Sequence, residues 1–351
     1  MGDWRTDPTF AMCRALADGV APSSFAGGPF DVRAAVADIR PETKDGFLLG
    51  QVPWERFPQG EHVREAVHLL HTGDSRRSGA GVVSGMCAND MRAAAVLAVP
   101  FLIRIAADIR HPCRADALAA AACPARALHF GVASREELLL HRAAFQDGDL
   151  YDGHDGHDDY DDYGVEVTGY PAGWSVAAAR AAITADTALL HPLLGDPDPS
   201  IRIDAAYTLA TAADPDRAVR ASFRARLAAE QDPKASAALV LATAEVTRTH
   251  PHAPTTTWMR DQWRDETRAP EVRLAAAIGW LCLTDEPAPD DLRTALDDLA
   301  TDERGHTMDD LRWMANAGGS RETGLQRCVR TMLHPDRPDP EDGGDPWASF
   351  R

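Results

Sequence analysis

Apolar residues recur at helical spacing from about residue 51 to residue 333, in short blocks that Asp, Pro and Gly separate. One block, LLGDPDPSIRIDAAYTLATA, covers residues 193–212. Asp198 stands where it can cap a helix, and Pro199 occupies the first turn of that helix. The block predicts a short amphipathic helix, and its core-facing residues are Ile201, Ala205, Leu209 and Ala212.

The same start signal returns further along the chain. The block DPKASAALVLATA places Pro233 34 residues after the first such proline, and APEVRLAAAIGWL places Pro270 a further 37 residues on. Arg202 and Arg273 each stand just inside a predicted helix, where we expect them to contact an acid or a carbonyl of the previous repeat. Ile278 is predicted to lie in the core. Helix pairs that recur at this period bury their apolar faces by stacking on their neighbours.

These blocks resemble HEAT repeats, the helical hairpins of armadillo-like α-solenoids. The resemblance is clearest for DPDPSIRIDAAYTLA and APEVRLAAAIGWL, while VPWERFPQG and AAAVLAVPFLIRIAAD resemble bacterial proteins with PBS-lyase HEAT-like repeats. The resemblance implies an all-α fold, a solenoid of stacked hairpins, and binding through an extended surface. It implies no catalytic residues, because the family as a whole shares none.

Composition divides the chain into five segments. We expect an N-terminal extension with short helices, N-terminal repeats, an acidic insertion, C-terminal repeats and a flexible tail, at residues 1–48, 49–145, 146–172, 173–334 and 335–351. The tail is rich in Pro, Asp and Gly, which is typical of an unfolded end.

The net charge of -18 is unevenly distributed. Residues 147–166 hold nine acids and no Lys or Arg, and residues 336–345 hold five acids and one Arg. The remainder is only mildly acidic and has no basic stripe, which disfavours nucleic acid as a partner. No signal peptide and no membrane-spanning run is found, and the six scattered cysteines are expected to be reduced. We therefore expect a cytoplasmic protein with no membrane partner.

The stretch YDGHDGHDDYDDY, residues 151–163, is the most conspicuous candidate for chemistry. His154, Asp155, His157 and Asp158 could hold zinc or nickel, but structural zinc sites usually include cysteine. Aspartates that repel one another between glycines favour a solvated loop, which is our main interpretation. Weak metal binding and an acidic docking segment are the two alternatives.

The segment TTTWMRDQWRDETR supplies the candidate partner contacts Trp258, Arg260, Trp263 and Arg264. Aromatic residues and Arg dominate interface energies. The two tryptophans are five residues apart, about 140° around a helix, so they cannot both face inward. The alternative is a helix whose tryptophans face the core.

The leading hypothesis is a bacterial α-solenoid that binds a protein or peptide, as a scaffold, an accessory factor or a toxin-neutralising partner. The alternative is a solenoid enzyme whose concave groove acts on a small molecule, a peptide or a nucleic acid. No GxSxG, HExxH, phosphate-loop or dinucleotide motif occurs, so no catalytic residue and no cofactor is predicted. His62, His68 and His71 are expected to be packed or solvated rather than ligands.

Overall fold

The regular structure is entirely helical. The structure, a computed structural model, describes residues 8–73, 79–88, 92–126, 133–139, 170–213, 217–319 and 321–335. Within these ranges there are 18 α-helices, six short 3-10 helices and no β-strand. The prediction of an all-α fold is confirmed.

The chain divides into two compact units. The first comprises Met1–His129, Arg142–Asp196 and Thr211–Asp214. The second comprises Phe130–His141, Pro197–Ala210 and Pro215–Arg351.

The first unit contains nine of the described helices. They are α1 (Ala11–Ala17), α2 (Val32–Ala37), α3 (Pro41–Asp45), α4 (Gly60–His71), α5 (Gly79–Ala88), α6 (Arg92–Ala107), α7 (Arg114–Ala122), α8 (Ala172–Ala185) and α9 (Thr187–Leu190). The 3-10 helices are Pro8–Phe10, Pro22–Phe25, Leu49–Gln51, Trp54–Arg56, Cys123–Ala125 and His191–Gly195.

Helix α6 forms the centre of the first unit. Nearly every residue from Arg92 to Ala106 is buried, and α2, α4, α5, α7 and α8 pack around the helix. A helix that is apolar on every side is stable only when it is covered on every side. The C-terminal turn is polar, because Arg104 donates to Asp186 Oδ2 at 3.0 Å and to Asp45 Oδ1 at 2.6 Å.

The second unit contains the other nine described helices. They are α10 (Pro199–Leu209), α11 (Ala218–Leu227), α12 (Pro233–Thr249), α13 (Ala253–Arg264), α14 (Pro270–Leu283), α15 (Asp290–Leu299), α16 (Asp302–Met308), α17 (Arg312–Ala317) and α18 (Gly324–Leu333).

The starts of α10, α12 and α14 follow the predicted pattern. Asp198 caps α10 by accepting from Ser200 N at 2.9 Å, and Asp232 caps α12 by accepting from Ala235 N at 2.8 Å. Each of the three helices has proline in its first turn. The side chains of Leu209 and Ile278, predicted to be core, are fully buried.

Helix α12 organises the packing of the second unit. It contacts α10 and α14, while α11 packs against α12 and α13 packs mainly against α14. At the crossing of α12 and α14 the backbone of Gly279 comes so close to Ala244 that an added Cβ would lie 3.1 Å from the Ala244 Cβ. The absence of a side chain at Gly279 therefore sets the approach of these two helices.

Of the two predicted arginine contacts, that of Arg273 lies in the expected direction along the chain and that of Arg202 does not. Arg273 donates to the carbonyl of Trp263 at 3.1 Å, in the helix that precedes it, as expected. Arg202 forms a bidentate pair with Glu230 at 2.8 and 2.9 Å, and Glu230 lies 28 residues after it rather than before it. The carboxylate of Glu230 is also bound by Arg226, so it joins α10 to the end of α11.

A buried polar cluster connects α17 to α10 and α12. Trp313 Nε1 donates to Glu245 Oε2 at 2.6 Å, and both side chains are buried. The Trp313 ring meets the Tyr207 ring edge-on at 4.8 Å. Because a buried carboxylate is costly without donors, this cluster fixes where α17 docks.

All six cysteines lie within the described residues and none forms a disulfide. No helix in the described ranges combines the length and apolar character needed to span a membrane.

Candidate functional site

The four candidate contacts of α13 do not form a single exposed patch. Trp263 is 2% exposed and packs in the core, whereas Trp258 is partly exposed, so the two rings diverge as their spacing predicted. Arg260 is partly exposed, and Arg264 is exposed and pairs with Asp291 at 2.7 Å. Of the two tryptophans, Trp258 is therefore the one that a partner can reach.

The candidate metal ligands His154, Asp155, His157 and Asp158 lie outside the described residues. Within the part of the chain that the structure describes, no group of three His, Cys, Asp or Glu side chains is arranged to hold a metal ion.

The three histidines of α4 lie at the surface of the first unit. His62 and His68 line an open depression of about 590 Å³ along α4. The ring of His71 stacks on Phe47 with centroids 3.7 Å apart. The pKa of His71 is lowered mainly by desolvation, and to a smaller extent by the charges of the neighbouring His111 and His68. The neutral imidazole that results suits stacking on an apolar ring.

Three arginines lie on one face of α11. Arg217 is the N-cap residue of α11, and Arg220 and Arg224 follow it at helical spacings of three and four residues. This face meets the start of α13, where His252 is the N-cap residue and Thr255 lies in the first turn. We call the group of these five residues the arginine end. Arg220 and Thr255 are buried in it, and Arg217, Arg224 and His252 reach the surface.

Direct contacts hold the arginine end together. Arg220 Nη2 donates to the carbonyl of His250 at 3.2 Å. Arg224 Nη2 donates to Thr255 Oγ1 at 3.2 Å, and Nδ1 of His252 lies 2.9 Å from the same hydroxyl. The guanidinium carbon of Arg224 lies 5.1 Å from the centre of the Trp258 ring, within the range of a cation–π contact.

The arginine end is positively charged in a chain of net charge -18. Among the described residues, no carboxylate lies within ion-pair distance of Arg217 or Arg224. The pKa of His252 is lowered mainly by desolvation, and to a smaller extent by the charges of Arg220, Arg217 and Arg224. The N-terminus of α13 adds the positive end of its helix dipole. The surface is therefore suited to an anion.

A cavity of about 390 Å³, which we call the α13 cavity, adjoins the start of α13. Two arginines in its wall are fixed by backbone carbonyls. Arg248 Nη1 donates to Cys282 O at 2.6 Å and also to Arg135 O. Arg135 Nη1 donates to Glu286 O at 2.9 Å, and its Nε donates to Met332 O at 3.3 Å. These bonds immobilise both guanidinium groups at the cavity wall.

The wall of the α13 cavity combines hydrogen-bond donors with two carboxylates at its exposed edge. Thr256 and Thr284 bring hydroxyl groups to its wall, and Glu136 and Asp285 are exposed lining residues. Complete burial raises the pKa of Cys282 to about 12, although the nearby Arg248 and Arg135 act in the opposite direction. The thiol is therefore protonated at neutral pH and is a poor nucleophile.

A second cleft in the second unit, of about 300 Å³, contains more carboxylates than cations. Its two cations, Lys234 and Arg312, pair with Asp310 and Asp204. Its other two carboxylates cap α10 and α12. Because its cations are compensated and two carboxylates are left over, the cleft attracts an anionic ligand less than the arginine end does.

The sequence analysis missed the arginines of α11. Their spacing in DRAVRASFRARL places Arg217, Arg220 and Arg224 on one helical face, and this signal was visible in the sequence. The contacts of Arg220 with His250 and of Arg224 with Thr255 and Trp258 were not visible, because they depend on how α11 lies against the start of α13.

No family model matches the chain, and neither do any curated proteins or solved structures. The contacts and charges of the arginine end and the α13 cavity therefore carry the functional inference.

Proposed function

We propose that this chain is an α-solenoid of HEAT-like hairpins that binds an acidic segment of a protein partner at the arginine end. The partner's carboxylates would approach Arg217 and Arg224, and the exposed part of Trp258 would add apolar contact. The observation that carries the proposal is that Arg217 and Arg224, on one face of α11, have no described carboxylate in ion-pair distance, and that Arg224 lies 5.1 Å from the centre of the Trp258 ring.

The repeat assignment is supported by the second unit. Helices α10, α12 and α14 begin with the same proline signal at intervals of 34 and 37 residues. Helix α12 contacts both of the others, and α11 and α13 cover this row. Such an alternation is what stacked hairpins need in order to bury their apolar faces, and it leaves an extended surface for a partner.

Binding of an acidic segment is supported by electrostatics. Clustered charges of one sign increase the rate at which an oppositely charged partner arrives. Arginine and tryptophan are also the residues most often responsible for interface energy. The chain has a net charge of -18, so a local cluster of cations stands out against the rest of the molecule. Binding of an acidic partner would explain why this cluster is present.

The test is fluorescence anisotropy with a short labelled peptide of alternating Asp and Glu. The double variant Arg217→Gln with Arg224→Gln should bind this peptide at least tenfold more weakly, which is about 1.4 kcal/mol. Affinity of the unmodified chain should fall as salt rises from about 0.05 M to about 0.3 M, because exposed charges are screened.

The control is Arg268→Gln, which removes an exposed charge just beyond the other end of α13, where Arg268 pairs with Asp265 at 3.4 Å. Its affinity should equal that of the unmodified chain. Equal binding of the acidic peptide and of a neutral peptide of Asn and Gln would refute the proposal.

A further inference from the structure

The α13 cavity contains more hydrogen-bond donors than its own residues use. Nη1 of Arg248 is bound to two carbonyls, but its Nε and Nη2 make no hydrogen bond within the described ranges. The hydroxyl of Thr256 donates to no acceptor within these ranges either.

These donors are held in place before any ligand arrives. The bonds from Arg248 and Arg135 to backbone carbonyls restrict the rotation of both guanidinium groups. A ligand that binds them does not have to order flexible side chains, which is the main gain from preorganisation. The volume of about 390 Å³ lies within the range of ordinary ligand pockets.

A phosphoryl group fits this donor set better than a carboxylate does. A phosphate monoester carries close to two negative charges and three acceptor oxygens at neutral pH, whereas a carboxylate carries one charge and two oxygens. Guanidinium forks are established binders of phosphate. Two guanidinium groups and a hydroxyl together would leave donors unused around a carboxylate.

We infer that the α13 cavity binds the phosphoryl group of a phosphorylated side chain, which lies within the acidic segment bound at the arginine end. This inference rests on the proposed function. His252 links the two surfaces, because it lines the cavity and also contacts Thr255, which Arg224 binds. Acidic residues next to the phosphorylated one would therefore reach Arg224 and Arg217.

A nucleic acid would also bring phosphate, but the rest of the molecule disfavours it. Nucleic acids carry a charge on every nucleotide, and their binders need cations along the whole backbone track. The chain has a net charge of -18, and exposed Glu136 and Asp285 lie among the residues that line the cavity. One phosphoryl group flanked by a few carboxylates matches this distribution better than a continuous polyanion.

The experiment uses three labelled acidic peptides that differ only at the central residue, which is phosphoserine, glutamate or serine. The full chain should bind the phosphoserine peptide at least tenfold more tightly than the glutamate peptide, as measured by fluorescence anisotropy. Thr256→Val should reduce this preference at least threefold. Arg248→Lys should remove the preference, because lysine keeps the charge but loses the fork.

Each further outcome decides between the claims. Equal affinity for the phosphoserine and glutamate peptides, both above a neutral peptide, would overturn the phosphoryl inference and leave the proposed function intact. No preference for any acidic peptide would overturn both. Tighter binding of an oligoribonucleotide of matched charge would assign the site to nucleic acid instead. If Arg248→Lys fails to fold by circular dichroism, Thr256→Val and the peptide comparison still decide the question.

Discussion

The two compact units bury their apolar residues in different ways. In the first unit, one helix, α6, is apolar on every side and its neighbours cover it. In the second unit, α10, α12 and α14 share the burial, and each begins behind a recognisable start signal. Helices that share the burial in a regular array produce a sequence pattern that recurs along the chain. A single central helix produces one apolar run with little internal pattern.

The arginines of both units also differ in whether a carboxylate compensates their charge. In the first unit, Arg104 pairs with Asp186 at 3.0 Å and Arg114 pairs with Asp196 at 2.6 Å, and all four side chains are largely buried. In the second unit, Arg202 has such a pair with Glu230, whereas Arg217 and Arg224 have no described carboxylate in ion-pair distance. The charges of these two arginines are therefore not used in an ion pair within the described residues.

The largest expected effect tests whether α6 is the centre of the first unit. Phe101→Ala should reduce the free energy of unfolding by about 3 to 5 kcal/mol, because its buried ring packs near Trp54 and Phe47. Leu209→Ala in the second unit should reduce it by about 2 to 5 kcal/mol. Urea unfolding measures both, and a loss below about 0.5 kcal/mol at either position would show that the residue is not core.

A second effect concerns the joint between α10 and α11. Burial alone would raise the pKa of Glu230, but hydrogen bonds from Arg202, the Asp232 amide and Arg226 outweigh it and lower the pKa to about 2. Because the folded-state pKa lies below the unfolded value of 4.5, the resulting stability is present above about pH 4.5 and is lost as pH falls toward 2.

Glu230→Gln should therefore destabilise the chain by about 3 kcal/mol at pH 6, as converted from the pKa shift. The difference from the unmodified chain should shrink as pH falls from about 5 to about 2. Urea unfolding at several pH values measures it. A difference that does not change with pH would mean that the pairs with Arg202 and Arg226 do not carry the effect.

A third effect compares a glycine from each unit. Gly279→Ala places a methyl group 3.1 Å from the Ala244 Cβ and 3.4 Å from the Met259 sulfur. Overpacking costs about 1 to 3 kcal/mol, and the gain in helix propensity of about 1 kcal/mol offsets part of it, so a net loss of about 1 kcal/mol is expected. Gly85→Ala in α5 meets nothing within 4 Å and should instead stabilise by up to about 1 kcal/mol. Thermal unfolding measures both variants. If both changes in melting temperature have the same sign, the close approach of α12 and α14 at Gly279 is contradicted.

The smallest expected effect separates the arginine end from the outer surface of α13. Arg264→Gln breaks an exposed pair with Asp291, so stability should change by less than about 0.5 kcal/mol. Binding of the acidic peptide should change less than twofold, in contrast to Arg224→Gln. A tenfold loss of affinity in Arg264→Gln would show instead that the peptide binds at the outer surface of α13, around Arg264.

Local signals account for what could be predicted from the sequence. The caps at Asp198 and Asp232, the buried Leu209, and the divergence of Trp258 from Trp263 all follow from rules that act within one helix. The all-α class follows from the same spacing.

Contacts between distant segments account for what could not be predicted. The arginine end requires α11 to lie beside the start of α13, and no pattern within either helix specifies this. The α13 cavity depends on Arg135, which stands 113 residues before Arg248. The partner of Arg202 was expected in the preceding block, but packing places it 28 residues later.

The position of Arg135 in the chain has a consequence for synthesis. Residues 133–139 belong to the second unit, yet α8 and α9 of the first unit are made after them. Arg135 contacts Met332, which is 197 residues later, so this segment leaves the ribosome long before its partners exist. Domains usually fold in the order in which they are made. Here the second unit cannot complete its packing until nearly the whole chain has been translated. Because its segments lie on both sides of a segment of the first unit, truncating the chain at one position cannot yield the complete second unit for expression.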